Sequence, residues 1–138
     1  MKIILCIFIL IVCAFSQPQL KELGRFGGSG TAPGLFQNPT ALDDSEDGRL
    51  FICDRGNQRI QVFDLFGNFR MNMGGFGWQN EKFDGPVDIW ARSTINFYVA
   101  DYNNQRVQRF DKDFNFISSK ISNPAWRRMT CPRMSPNR

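Results

Sequence analysis

The residues best spaced for chemistry lie in "DDSEDGRLFICD". There Asp43, Ser45, Asp47, Gly48 and Asp54 stand at positions 1, 3, 5, 6 and 12 of a calcium-loop pattern. Oxygen ligands at alternate positions, with a glycine at the sharp turn, suit a hard cation. The pattern also wants helical flanks and a closing bidentate Glu, whereas strand-like runs flank this segment and Asp closes it. It therefore reads as a polar hairpin turn, with Asp43, Ser45, Asp47 and Asp54 held as a secondary calcium candidate and no other metal site. The acidic pairs Asp43/Asp44 and Asp111/Asp113 sit in turns, where solvation leaves them untuned for acid–base work. The chain has no histidine, which removes Ser-His-Asp and Cys-His nucleophiles and His-ligated zinc together. No C-x-x-C is present, and "GGSGTAPG" at 27–34 lacks the Lys-Ser/Thr ending of a phosphate loop. The expectation is no catalytic residue, no cofactor and no enzyme, with 27–34 as a connecting loop.

The chain has 138 residues, room for one modest domain. It opens "MKIILCIFILIVCAFSQPQ", with a basic Lys2, an apolar run over 3–13 and small residues at Ala14 and Ser16. That is the pattern of a secretory signal peptide over 1–16, cut between Ser16 and Gln17. The run falls short of the roughly 20 residues of a membrane span, and no second one follows. The expected location is extracytoplasmic, secreted or periplasmic. Cleavage would remove Cys6 and Cys13. Cys53, in the apolar "RLFIC", reads as a small buried hydrophobe, and two remaining cysteines do not settle whether Cys53 and Cys131 pair. The overall charge of +4 is unevenly placed: residues 17–117 carry 13 acids against 11 bases, while 118–138 carry five bases and no acid. A slightly acidic body argues against nucleic acid as a partner.

Positioning of these residues is governed by a repeat. Shifting the sequence by 47 aligns residues 24–69 with 71–116 without a gap. The densest block is "DRGNQRIQVFD" against "DYNNQRVQRFD", pairing Asp54 with Asp101, Asn57 with Asn104, Gln58 with Gln105, Arg59 with Arg106 and Phe63 with Phe110. Each copy contains four apolar runs of about five residues punctuated by Gly, Asn and Asp. That is four short antiparallel strands per repeat, an all-β propeller blade. Asp54 and Asp101 are expected to accept N–H groups of the turn that follows, and Gly56 and Asn103 to take positive φ there. Arg59 and Arg106 are expected to pair back with the turn acid or a neighbouring blade, and Phe63 and Phe110 to fill space between blades. The repeated phrase is thus scaffold.

The run "PTALDDSEDGRLFICDRGNQRIQVFD" resembles an NHL repeat, and the resemblance extends over 24–117. It implies blades of a six-bladed β-propeller, a fold that serves many ligands. The position after Asn57 and Asn104 is often His in that family and is Gln here, and "ARSTIN" replaces the acidic-Gly turn in the second copy. The organisation expected is a signal peptide at 1–16, a partial propeller over 17–121 with repeats near 24–70 and 71–117, and an irregular basic tail at 122–138. Residues 20–28, similar to 69–77, are expected to supply a lone fourth strand. Two repeats are fewer than the three or so a stack needs, so the chain reads as a truncated piece of a ring, or as one that self-assembles through open blade edges. The functional expectation is an exported, non-catalytic scaffold or binding module for a protein, peptide or glycan. The alternative is the opening of a propeller lyase or hydrolase whose catalytic residues lie in missing blades.

Overall fold

The computed structural model describes residues 24–121. The expected signal peptide, the Ser16–Gln17 cleavage site, Cys131 and the basic tail lie outside the described residues. Eight strands follow in order: β1 Pro39–Asp44, β2 Arg49–Asp54, β3 Arg59–Asp64, β4 Phe69–Gly74, β5 Pro86–Trp90, β6 Asn96–Asp101, β7 Arg106–Asp111 and β8 Phe116–Ile121. They form two four-stranded antiparallel sheets, ordered β1-β2-β3-β4 and β5-β6-β7-β8. The expected all-β class and the two blades are present. The lone fourth strand is not seen in its described part, since 24–28 carries none.

The repeat extends to backbone detail. Each first strand has a bulge after its proline, Pro39/Ala41 and Pro86/Asp88, and each third strand one before its phenylalanine, Val62/Phe63 and Arg109/Phe110. Left-handed residues also recur at the same offset, even where the residue type changes: Asn38 with Gly85, Gly34 with Glu81, and Gly67 with Phe114. Within the repeated phrase the left-handed residues are Gln58 and Gln105, at φ 55° and 52°. Gly56 and Asn103, expected there from their conformational freedom, are not left-handed. Gly56 serves close approach instead: a Cβ there would stand 2.5 Å from the Gln37 carbonyl oxygen.

The core lies between the blades. Phe51, Cys53, Ile60 and Val62 of the first sheet pack in one cluster with Ile89, Phe97, Val99 and Phe110 of the second. The Phe51 and Phe97 ring centroids are 5.1 Å apart across the joint, and those of Phe97 and Phe110 are 5.1 Å apart and stacked. Phe110 does fill the space between blades. Phe63 is equally buried, but on the other face of its sheet, against Phe26 and Phe36 of the preceding segment. Blade 1 buries both faces of β2 and β3, whereas β6 and β7 alternate buried with half-exposed.

Candidate functional site

The repeated phrase is built on a buried carboxylate. Asp54 Oδ1 accepts the Gln37 N–H at 2.7 Å, from the segment entering β1 rather than from the turn that follows. Its Oδ2 accepts from Asn57 Nδ2 at 2.8 Å, Arg59 Nε at 2.8 Å and Gln61 Nε2 at 3.0 Å. Asp101 repeats this with the Asp84 N–H, Asn104 Nδ2 and Arg106 Nε. Both carboxylates are fully shielded from solvent, and a buried charge persists only when so partnered.

The donors held by this carboxylate reach on to the loop that leads into the blade. Asn57 donates to the Gly30 carbonyl, Arg59 to those of Ala32 and Leu35, and Gln61 to that of Leu35. Gln61 Oε1 also accepts the Gly34 N–H at 2.9 Å. In the second copy Asn104 grips Gly77, Arg106 grips Trp78, Gln79 and Lys82, and Gln108 grips Lys82 and the Glu81 N–H. The phrase is a clamp on a loop some 24–27 residues upstream. Gln58 has a separate task, accepting the Gly85 N–H of the next blade at 2.6 Å. Sequence reasoning missed Gln61 and Gln108 as clamp members, although their identity between copies was a usable signal.

Because the clamp fixes the loop backbone, side chains that vary between copies are free to face outward at this end. Ser29, Thr31 and Arg55 of the first copy correspond to Phe76, Trp78 and Tyr102 of the second. These three aromatics are 70%, 73% and 54% exposed. Trp78 is held through its carbonyl by Arg106 at 2.7 Å, and the Tyr102 N–H donates to the Gly85 carbonyl at 3.1 Å.

The calcium candidate does not assemble. Asp43 turns toward blade 2, accepting the Ala91 N–H at 2.8 Å and Arg92 Nε at 3.2 Å. Ser45 bonds Asp47, Asp47 pairs with Arg49 at 2.7 Å, and Asp54 closes the far end of β2. The Arg49 hydrogen bond chiefly holds the Asp47 carboxyl below its ordinary value. Asp111 instead ties its own turn, accepting the Asp113 and Asn115 N–H groups at 2.9 Å, while Asp113 pairs with Lys112. Among the described residues no group of three or more His, Cys, Asp or Glu is placed to hold a metal. Cys53 is buried without a disulfide partner among those residues. Burial, followed by the charge of Asp88, pushes its thiol up to about 12.

Residues 36–63, from Phe36 through the clamp into β3, match the NHL repeat family model. This chain carries an NHL repeat. The match takes in Asp54, Asn57, Arg59 and Gln61, so the clamp lies within the NHL unit. Over 45 residues the chain is 44% identical to E3 ubiquitin-protein ligase TRIM32 of Homo sapiens, covering 33% of this chain and 7% of that protein. The Mus musculus TRIM32 is 39% identical over 49 residues, 36% of this chain and 8% of that one. NHL repeat-containing protein 3 of Homo sapiens is 47% identical over 38 residues, 28% and 11% of the two chains. The matched segments thus span about a tenth or less of the length of these relatives. Among the described residues no helix is long and apolar enough to cross a membrane.

Proposed function

We propose that this chain is an exported, non-catalytic NHL-type propeller segment that binds a protein or peptide at the end bearing the clamped loops. The observation that carries the reading is the division of labour within the repeat. Clamp residues are the same in both copies, while the outward positions change to Phe76, Trp78 and Tyr102 in the second. Large aromatics on a backbone already fixed offer contact area at low entropic cost, which is why Trp and Tyr are enriched at binding interfaces. Similarity to NHL-containing proteins supports a binding role. The ligase activity in the name of two relatives is not part of the proposal, since the alignments cover 7% and 8% of those proteins.

A displayed random-peptide library panned on the full chain tests the binding face. Enriched peptides are expected to lose about tenfold or more in affinity, some 1.4 kcal/mol, against Trp78→Ala or Tyr102→Ala, with the thermal midpoint unchanged. Recovery only of peptides indifferent to both substitutions, or of none, rejects the site. Export rests on the opening 16 residues. N-terminal sequencing of protein recovered outside the expressing cell is expected to begin at Gln17, and protein retained inside with Met1 intact rejects it.

A further inference from the structure

At the clamped end the two blades also meet around Gly85, and the meeting point gathers donors that the fold does not use. The Gly85 backbone is fully engaged within the protein: its N–H goes to Gln58 Oε1, and its carbonyl takes the Tyr102 N–H. The position is left-handed in both copies, at φ 69° in Gly85 and 50° in its counterpart Asn38. Asn tolerates that conformation, so this turn does not by itself demand glycine. What glycine supplies is room. A Cβ at Gly85 would stand 3.1 Å from Asn103 Nδ2 and 3.6 Å from Arg55 Nε.

Both side chains retain unused donors. Arg49, Arg59, Arg70, Arg92 and Arg106 each hold a carboxylate. Arg55 is half-buried, yet among the described residues its side chain forms no ion pair and no hydrogen bond. None of the N–H donors of its guanidinium is answered there. Asn103 Nδ2 gives one hydrogen to Asp84 Oδ1 at 2.8 Å and keeps its second. Asp84 is thus turned to Asn103, and among the described residues no ion pair joins it to Arg55. Tyr102, one residue before Asn103 and bonded to the Gly85 carbonyl, belongs to the exposed aromatic set.

We propose that Arg55 and Asn103 form a carboxylate subsite over Gly85, and that the peptide bound at the aromatic end places an acid there. The inference rests on the aromatic binding site proposed above. A planar guanidinium meets a carboxylate through two parallel N–H donors, and the spare Asn103 hydrogen adds a third. The surroundings do not suit a nucleic-acid backbone, which is held by several cations along its phosphates. At this end Arg55 and Lys82 are matched in charge by Glu81 and Asp84, and Lys82 Nζ is already on the Gly74 carbonyl at 2.8 Å. One carboxylate finds one unanswered guanidinium. A polyanion finds no excess of positive charge.

The probes are the displayed peptides that need Trp78 or Tyr102. Each is synthesised with its acids intact, with each acidic side chain replaced by its amide, and with a free or amidated C-terminus. Fluorescence anisotropy then measures affinity for the full wild-type chain and for Arg55→Gln, whose thermal midpoint is expected to match wild type. One amide replacement is expected to cost about tenfold or more on wild type, as for a hydrogen bond to a charged group, and about twofold or less on Arg55→Gln. Which replacement costs most tells a side-chain acid from the C-terminal carboxylate. Equal losses on both chains, or peptides that need the aromatics but lose nothing with their acids, overturn the subsite and leave the aromatic site standing. Recovery of no peptide sensitive to Trp78→Ala or Tyr102→Ala removes both. A single-stranded oligonucleotide that outcompetes the acidic peptides and is weakened by Arg55→Gln would give Arg55 to phosphate and also overturn the inference.

Discussion

Asp54 and Asp101 each gather three or four donors in a site closed to water. Removing either acid strands an arginine together with the amides beside it. Breaking one side of a buried ion pair costs about 3 kcal/mol or more, so Asp101→Ala should lower chemical-denaturation stability by that amount. Asp113→Ala, at an exposed pair with Lys112, should change it by no more than about 0.5 kcal/mol. Equal losses from the two would remove the clamp from its central place. Cys53 makes a second residue-scale prediction. Its folded value is raised to about 12, so above the unfolded value the open chain sheds a proton that the folded chain keeps. Stability should then fall as pH rises, by about 1.4 kcal/mol per unit from near pH 8.5 toward 12. A Cys53→Ala variant should lack that component of the alkaline slope.

At the scale of the element, the turns repeat their geometry more faithfully than their residues. Glu81 sits at φ 66° where the first copy has Gly34. A left-handed side chain costs about 1–2 kcal/mol, partly offset by the greater entropy glycine retains when unfolded. Glu81→Gly should therefore be neutral or stabilising by up to about 1 kcal/mol in thermal melts, and Glu81→Val destabilising. The β3–β4 and β7–β8 turns add an acid response. Asp64 and Asp111 are held below the usual carboxylate range, first by the side-chain amides of Asn68 and Asn115 and then by backbone N–H groups. A depressed carboxyl contributes stability above its unfolded value, near 4, and loses it as pH falls through the folded value. Replacing Asn68 and Asn115 by Ala should flatten the decline in melting temperature below about pH 4.

At the scale of the whole molecule, an aromatic joint holds the two blades together beside the polar ties of Asp43 and Gln58. Phe51 meets Phe97 and also Phe114, at 6.0 Å, from the last turn of blade 2. Arg49 pins that turn by donating to the Lys112 carbonyl at 2.9 Å. Phe97→Ala should cost about 3–5 kcal/mol, and amide hydrogen exchange should accelerate in β5–β8 and in β2 together. Exchange that rises in β5–β8 alone would mean that the blades open independently.

The sequence by itself determined the strands and their number, because short apolar runs between Gly, Asn and Asp leave few choices, and repetition confirmed each run. Among the described residues the four runs of each copy become one four-stranded sheet. It also marked Asp54, Asn57 and Arg59 as one unit. It could not say what that unit grips: the loop carbonyls lie 24–27 residues away, and backbone oxygens carry no sequence label. Gly56 misled for a related reason, since a glycine looks alike whether it serves positive φ or close approach. The scattering of the calcium pattern was decided only by tertiary structure, because β2 carries Asp54 to the opposite end of the sheet from Ser45 and Asp47. So was the direction in which each sheet face packs. The run at 50–53 is apolar at every position, and only the packed joint shows that Phe51 faces the second blade while Ile52 lies on the opposite face.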